Sequence, residues 1–381
     1  MTTIAVIGGG IVGASAAYHL GRAGVKTVLI DGSQTGKATS AGAGIVAPGT
    51  SLRPLPPFFE LAQPAVAYYP QLAADLLAIN NTGAGYEVCG KLMVADTAEK
   101  AAALPEMKAL FEQRRDAGMP NLGEITEITP VEARQMLPIL GEMHAAMYIP
   151  EAARVDGGVL RDSLTNAAVS LGVRVIHGDA RIEVRAGKVT GISTEMETEA
   201  VDAVVVAAGA WTNTVLEPGG FVLPINPQKG QIVHIDLPGH ETSQWPILGW
   251  GGSQYQLSFG PNRVVCGATR EFNSGYDTRI TPAGVKEVLD EQLRICPGLA
   301  HGTLAEVRVG LRPYSNDAIP YIGAVPGVDN LIVSSGHGPS GLQLGPYSGL
   351  LAAELAQGLQ PSVNINNFRL DRPVGSMEVA Y

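Results

Sequence analysis

A glycine-rich segment near the start of the chain constrains the fold most. A short apolar run, typical of a buried strand, precedes Gly8, Gly10 and Gly13, which have the spacing G-x-G-x-x-G. A helical run follows over residues 14–23, and a second apolar strand ends at Asp31, 18 residues beyond the last glycine. Such glycines allow a tight turn, close approach of backbone to a pyrophosphate, and close helix–strand packing. Because the helix amino terminus favours phosphate and a carboxylate can accept from ribose hydroxyls, the segment predicts a dinucleotide site, without separating FAD from NAD.

Composition limits the partners of the chain. It has 381 residues, of which 45% are hydrophobic and 16% charged, enough for two domains of a soluble protein. The net charge of −10 argues against a nucleic-acid partner and against a polybasic membrane contact. The longest apolar stretch, residues 201–211, is interrupted by Asp202 and is too short to cross a bilayer. We therefore expect a small-molecule partner and no transmembrane segment, and a homo-oligomer is compatible with the sequence.

The cysteines and the first residues bear on location. Cys89, Cys266 and Cys296 are widely spaced, so they form neither a metal-binding pattern nor a disulfide framework, and no metal is expected. A core strand begins directly after Met1 and leaves no room for a signal peptide. These features predict a cytoplasmic protein, peripheral to the inner membrane if it acts as a dehydrogenase.

The order of predicted elements indicates a discontinuous domain. Strands and helices alternate at the start, middle and end of the chain, whereas short alternating strands dominate between them. We expect a loop over residues 42–57, a helix over 72–79, and a hairpin of strands 86–88 and 91–95 around Gly90. The predicted class is α/β (α+β overall), a Rossmann-like domain with an inserted, mainly antiparallel β domain. The predicted boundaries are 1–80, 150–220 and 313–374 for the first domain, 81–149 and 221–312 for the second, and 375–381 for a tail.

Four separated segments together resemble the FAD-dependent D-amino-acid oxidase and dehydrogenase superfamily, which includes glycine and sarcosine oxidases. They are the fingerprint from Gly8 to Asp31, the loop A-T-S-A-G-A-G-I at 38–45, the strand D-A-V-V-V-A-A-G-A-W at 202–211, and residues 310–341. The last segment holds G-L-R-P at 310–313 and S-G-H-G at 335–338. The resemblance spans residues 4 to about 357 and is specific for the superfamily, but weak for the individual substrate.

The resemblance implies a set of residues that contact FAD. The Thr39-Ser40 pair can hydrogen-bond phosphate or ribitol groups, and the loop after the last strand can turn its amides to the flavin pyrimidine oxygens. The alternative for Trp211 is a residue of the core, and the alternative for His337 is an exposed or backbone-bonded imidazole. The expected FAD contacts are Gly8, Gly10, Ile11, Val12, Gly13, Asp31, Gly32, Thr39, Ser40, Ala43, Gly44, Ile45, Arg181, Ala208, Gly209, Trp211, Arg312, Gly336, His337, Gly338, Pro339, Ser340, Gly341 and Leu342.

Two further residues are implied at the substrate. Arg312 matches the family arginine that holds the substrate carboxylate, a task suited to a planar, bidentate guanidinium. Tyr255 begins a predicted strand and matches a tyrosine whose hydroxyl meets the same carboxylate; a buried strand tyrosine is the alternative. The implied reaction is oxidation of the Cα–N bond of a small D-amino acid or glycine by hydride transfer to flavin. The imine then hydrolyses to a keto acid and ammonia.

Several alternatives stay open at this stage. The substrate could be a secondary amino acid such as sarcosine, proline or hydroxyproline, and the chain could be the flavin subunit of a larger complex. Oxygen and a quinone are both compatible as electron acceptors. Lys229 is either an oxygen-activating cation or a solvated loop lysine. Cys266 and Cys296 lack the context of a flavin-linking cysteine, so non-covalent FAD is expected, and an NAD enzyme is disfavoured by the second and fourth segments.

Overall fold

The computed structural model describes residues 2–53 and 55–373; the predicted tail of residues 375–381 lies outside them. The strands are β1 (Thr3–Ile7), β2 (Lys26–Asp31), β3 (Ile45–Val46), β4 (Tyr86–Val88), β5 (Lys91–Ala95), β6 (Thr126–Ile128), β7 (Ala145–Ile149), β8 (Ala153–Val155), β9 (Arg174–His177), β10 (Arg181–Arg185), β11 (Lys188–Ser193), β12 (Thr198–Ala200), β13 (Ala203–Val206), β14 (Ile225–Asp236), β15 (Ile247–Gly249), β16 (Tyr255–Phe259), β17 (Arg263–Gly267), β18 (Thr303–Ser315), β19 (Tyr321–Ala324) and β20 (Leu331–Ser335). The α-helices are α1 (Ile11–Arg22), α2 (Ala38–Ala41), α3 (Pro56–Asn80), α4 (Ala98–Asp116), α5 (Pro130–Met136), α6 (Gly157–Ser170), α7 (Thr212–Leu216), α8 (Pro282–Ile295) and α9 (Gly341–Ala356).

A sheet that we call the parallel sheet has the strand order β19-β20-β13-β1-β2-β9, with β19 as its antiparallel edge. Its central strands are apolar on both faces, as a doubly covered sheet requires. One face packs against α1, α6 and α9, and the other against the small sheet β10-β11-β12. Because β1, β2, β13 and β20 run in one direction, their carboxyl ends lie along one edge, where open α/β sheets bind ligands.

A second sheet, the mixed sheet, has the order β18-β14-β17-β16-β15-β5-β7-β6, and its neighbours are antiparallel except β15 and β5. Val233, Val264 and Cys266 lie on the face that packs against α8. The opposite face carries Ile232 and Leu257 and turns toward the parallel sheet's carboxyl edge. The α/β class with a mainly antiparallel second sheet is confirmed, whereas the domain boundaries stay predictions. Two strands of this region, β14 and β18, are longer than the short strands predicted there.

The predicted hairpin around Gly90 is wrong. β4 and β5 do not pair with each other. Instead, β4 pairs with β8 and β5 pairs with β7, so residues 86–95 run antiparallel to residues 145–155 without reversing direction. The chain bends between them at Gly90, whose φ is +75°, and the Cys89 and Gly90 amides both donate to the Ala152 carbonyl. A glycine between two short strands favours a tight turn locally, but here a distant partner segment supplies the hydrogen bonds.

The helix predicted at residues 72–79 is the last third of α3, which begins at Pro56 and contains Pro64 and Pro70. Each internal proline removes one helical hydrogen bond, so the sequence before residue 72 does not indicate a helix. Burial offsets this cost, because the apolar stripe of α3 packs against α9. The Tyr69 hydroxyl also donates to the Leu342 carbonyl of that helix.

The segment of α2 joins the two sheets. The Leu311 amide of β18 donates to the Gly36 carbonyl at 2.8 Å, and Arg308 donates to the Ser40 carbonyl at 3.1 Å. A Cβ on Gly310 would lie 2.9 Å from that of Ala41, so α2 packs directly on β18. Within residues 2–53 and 55–373, no helix is both long and apolar enough to span a membrane.

Candidate active site

A cavity of about 1020 Å³ lies between the carboxyl edge of the parallel sheet and the inner face of the mixed sheet. Of the residues predicted to contact FAD or substrate, Gly13, Ser40 and Gly336 do not line it. The Ser40 side chain is exposed and Gly13 packs against Gly8, whereas every other predicted residue contributes to the wall. The cavity therefore brings the four separated segments together, with Arg312 and Tyr255 at the mixed-sheet end.

The glycine fingerprint builds a tight cradle at one end of the cavity. Gly8 has φ +107°, and a Cβ there would lie 2.5 Å from the Ala207 carbonyl oxygen. A Cβ on Gly13 would lie 1.8 Å from the Gly8 carbonyl oxygen, so the turn and the helix permit no side chain at either position. Gly10 is the N-cap of α1 and has no side chain to cap the helix, which leaves room in front of its amides. These observations fit a dinucleotide pyrophosphate.

Asp31 is held in place by two partners. Its carboxylate accepts from the Gly9 amide at 2.8 Å and from the Lys37 ammonium at 2.7 Å. Lys37 also donates to the Gly32 carbonyl, so it fixes the end of β2. The sequence analysis missed Lys37, although its place six residues after a predicted ribose-binding acid was a usable indication. The Thr39 hydroxyl accepts from the Ile11 amide at 3.0 Å and so joins the second predicted segment to the first.

Two predicted aromatic residues line the cavity in different settings. Trp211 is half-buried and stacks on Tyr276, with ring centroids 5.8 Å apart. His337 is 4% exposed, its Nε2 is buried without a hydrogen-bond partner, and burial lowers its pKa to about 4. His337 is therefore neutral near pH 7 and offers the cavity a polar group without charge.

Arg312 and Tyr255 form one unit on the mixed sheet. Arg312 donates to the Tyr255 hydroxyl, and also to the Thr269 carbonyl at 3.0 Å. Burial raises the pKa of Tyr255, and the cationic Arg312 partly opposes that rise. The guanidinium lies against Gly230, where a Cβ would come within 2.5 Å of it. Two donors therefore face the same part of the cavity, which suits a carboxylate.

The charge of the cavity differs from that of the whole chain. Among the described residues, the carboxylates that line the cavity are Asp31 and Asp179, both at the fingerprint end. The cations that line it are Lys37, Arg53, Lys91, Arg181, Arg270 and Arg312. Lys37 pairs with Asp31, whereas Lys91 and Arg312 lie on strands of the mixed sheet and Arg270 follows another of its strands. The mixed-sheet end of the cavity favours anionic ligands.

Lys229 lies elsewhere. Its side chain is 1% exposed, points to the other face of β14 from Gly230, and is within 3.5 Å of Glu271 and 3.4 Å of Asp277. It is neither a solvated loop lysine nor part of the cavity wall. Its role is to neutralise two carboxylates behind the sheet.

Comparisons with known proteins place the chain in a family. The model of the DAO family, described as FAD dependent oxidoreductase, matches residues 3–355. The chain is 38% identical to the Bacillus subtilis (strain 168) uncharacterized oxidoreductase YurR, over 97% of this chain and 98% of that protein. It is 30% identical to glycine oxidase of Pseudomonas putida, over 95% and 96% of the two chains. The crystal structure of iminodiacetate oxidase from Chelativorans sp. BNC1 superposes with a TM-score of 0.92 at 37% identity, covering 96% of this chain and 98% of that one.

The family match confirms both the resemblance inferred from the sequence and its cofactor, FAD. The glycine oxidase match also confirms the general kind of enzyme, since it extends over nearly the whole of both chains. The chain therefore belongs to the DAO family of FAD dependent oxidoreductases and is an FAD-dependent amine or amino-acid oxidoreductase.

Proposed function

We propose that the protein oxidises the Cα–N bond of a small amino acid, glycine or a D-amino acid, that Arg312 and Tyr255 hold by its carboxylate. The observation that carries the proposal is the hydrogen-bonded Arg312–Tyr255 pair facing the same cavity as the glycine fingerprint. A guanidinium and a phenol offer converging donors to a planar anion. Holding the carboxylate fixes the α-carbon relative to the cavity wall and lowers the entropic cost of reaction.

FAD would occupy the rest of the cavity. We assign the pyrophosphate to the N-terminus of α1 at Gly10, the ribose to Asp31, and the flavin ring to the walls formed by residues 43–45 and 337–342. When bound, the flavin supplies the acceptor for the hydride of the substrate, which carries the two electrons of the oxidation. Neutral His337 and the amides of its loop would then face the ring as polar groups that stabilise negative charge.

The charge at the mixed-sheet end bears on the state of the amine. Among the described residues, no carboxylate lines this end, so no ion pair stabilises an ammonium there. The substrate amine therefore enters as the neutral base, and no general base is needed to deprotonate it. Arg312 orients the substrate without exchanging a proton, because a guanidinium stays charged.

A second candidate is a secondary amine, a glycine that carries a substituent on nitrogen. The similarity to iminodiacetate oxidase at 37% identity favours it. Such a substrate uses the same carboxylate clamp and differs only on the far side of the nitrogen. Oxidation and hydrolysis then release glyoxylate and a primary amine instead of glyoxylate and ammonia.

A panel assay tests the proposal. Purified flavoprotein is incubated with glycine, D-alanine, sarcosine, D-proline and iminodiacetate, once with oxygen and once with a quinone or dye acceptor. We expect formation of the keto acid or glyoxylate, and the acceptor that supports turnover identifies the oxidant. Turnover by the purified chain argues against a flavin subunit that acts only within a larger complex. A cytoplasmic location stays part of the proposal, and fractionation of cells tests it. If no carboxylated amine is oxidised with either acceptor, the proposed function is wrong.

A further inference from the structure

Lys91 is a cation in the cavity wall that the carboxylate clamp does not use. It begins β5 and lines the cavity with Met93. Its ammonium donates to the Thr50 hydroxyl at 2.8 Å, and Thr50 is its one partner among the described residues. The Thr50 hydroxyl in turn donates to the Ala47 carbonyl at 2.8 Å, so its lone pair is fixed toward Lys91. Since an ammonium has three donors, two are left for a ligand.

The position of Lys91 relates it to the clamp. On the mixed sheet, β5 is separated from β16 by β15 alone, and Gly249 of β15 lies directly opposite Tyr255. A Cβ on Gly249 would lie 3.4 Å from the Lys91 Cε, so the lysine side chain runs over this glycine. The backbones of β5 and β16 are two strand spacings apart, roughly 10 Å. Lys91 therefore faces the cavity across a short gap from Tyr255.

An unneutralised cation inside a protein is costly, and such groups concentrate at functional sites. Burial alone lowers the pKa of Lys91 to about 8, and no carboxylate contributes to the shift. The chain has ten more acidic than basic residues, yet no carboxylate among the described residues pairs with Lys91. An anionic ligand in the cavity can supply the counter-ion that the protein does not provide for Lys91.

We propose that Lys91 forms a second carboxylate subsite, and that the preferred substrate is a dicarboxylic secondary amine, in which a carboxymethyl or similar acidic group is attached to the nitrogen of glycine. This inference rests on the proposed function, because Arg312 and Tyr255 hold the first carboxylate. The neutral amine lies between the two anionic ends. Oxidation removes two electrons and two protons from the N–CH2 unit, the acceptor being oxygen or a quinone, and water then cleaves the imine to glyoxylate and a primary amino acid.

The test uses matched pairs of molecules that differ in one carboxylate. Iminodiacetate and sarcosine are the substrates, and diglycolate and methoxyacetate are ether analogues without an amine to oxidise. Binding of the ethers to the FAD-loaded enzyme is measured from changes in flavin absorbance, and kcat/KM is measured for the amines. We expect diglycolate to bind wild type about tenfold to a hundredfold more tightly than methoxyacetate. Lys91→Met should reduce that ratio to near one, and Lys91→Arg should restore most of it.

Controls separate this inference from folding effects and from the proposed function. Lys188→Met removes an exposed lysine outside the cavity wall. It should leave unchanged both the ratio of diglycolate to methoxyacetate affinity and the ratio of kcat/KM for iminodiacetate to that for sarcosine. FAD content and Tm are compared among all variants, so that a misfolded Lys91→Met is recognised and Lys91→Gln takes its place.

If wild type oxidises sarcosine but binds diglycolate no more tightly than methoxyacetate, the second subsite is wrong and the proposed function stands. If Lys91→Met slows reoxidation of the flavin by oxygen and leaves the ratio unchanged, Lys91 serves the acceptor and the inference is overturned. If wild type neither binds the ethers nor oxidises any carboxylated amine, both fail.

Discussion

The guanidinium of Arg312 lies against the α-carbon of Gly230, so closely that a methyl group there would come within 2.5–2.7 Å of three of its atoms. Gly230 and Arg312 lie on neighbouring strands that pair through Gly230 and Gly310. The absence of a side chain at Gly230 thus sets the depth at which Arg312 sits. The position of the guanidinium in the proposed clamp thus depends on a residue that has no functional group of its own.

The Gly230→Ala variant tests this relationship. The added methyl must displace the guanidinium from the Tyr255 hydroxyl, so we expect kcat/KM for amino acids to fall by at least about tenfold. FAD content should remain near that of wild type, because Gly230 lies on the mixed sheet. Gly83→Ala is the matched control, since a Cβ there meets no atom within 4 Å. Unchanged kinetics in Gly230→Ala would mean that Arg312 does not need its present position.

Arg312→Lys tests the charge and the shape of the clamp separately. Lysine keeps the positive charge but loses the bidentate fork, which is worth about 1.5–3 kcal/mol for a charged hydrogen bond. We expect kcat/KM to fall roughly 10- to 150-fold, mainly through KM, with a smaller effect on bound FAD. Steady-state kinetics and the flavin-to-protein ratio measure the two effects. An unaltered KM for every substrate found would remove Arg312 from the substrate site.

The carboxylate itself is tested by comparing amino acids with their decarboxylated amines. Glycine is compared with methylamine and sarcosine with dimethylamine, because the missing carboxylate leaves the guanidinium unpaired. We expect the amines to be oxidised far more slowly. Tyr255→Phe should lower kcat/KM for the amino acid by about fivefold, the loss of one neutral hydrogen bond of about 1 kcal/mol, and so narrow the gap. Amines that prove the better substrates would replace the amino-acid assignment with a general amine oxidase.

A pH dependence follows from Lys91. The ammonium is charged below its pKa of about 8 and neutral above it, so its attraction for a second carboxylate is present at pH 7 and is lost as pH rises. The ratio of kcat/KM for iminodiacetate to that for sarcosine should therefore fall above pH 8, by up to about tenfold per pH unit. Dividing by the value for sarcosine cancels the ionisation of groups that act on both substrates in the same way, such as Tyr255 and the flavin. A ratio that stays flat from pH 6.5 to 9.5 would contradict this, and Lys91→Met should show that flat profile.

Attachment of FAD is the last prediction. Cys266 and Cys296 are buried in the apolar layer behind the mixed sheet, and Cys89 does not line the cavity. Burial also raises the pKa of each thiol, which disfavours the reactive thiolate. We expect acid precipitation to release all flavin into the supernatant. Yellow colour retained in the pellet after washing would show a covalent link.

The sequence predicted those parts of the site that depend on local backbone geometry. Gly8 and Gly13 could be assigned because a turn and a helix–strand contact exclude side chains there. Arg312 and Tyr255 could be assigned only by resemblance, since they are distant in the chain and meet through the pairing of β14 with its neighbours.

Other features depend on long-range contacts that no local pattern contains. Lys91 was missed because a lysine at the start of an apolar strand usually points to solvent, and only the arrangement of Thr50 and Gly249 turns it inward. Ser40 was expected to face FAD together with Thr39, but its side chain is exposed outside the cavity. The start of α3 was hidden by its prolines, whose cost is offset by packing against a helix from the end of the chain.

The hydrogen bonds from Leu311 to Gly36 and from Arg308 to Ser40 join the segment of α2, residues 36–41, to the strand that carries Arg312. A ligand that stabilises one of two hydrogen-bonded segments also stabilises the other. If Arg312 holds the substrate as proposed, we expect loss of the flavin to weaken substrate binding as well as to remove the electron acceptor. On storage or heating, the enzyme should lose its colour and its affinity for amino acids in one step, and adding FAD before unfolding begins should protect both.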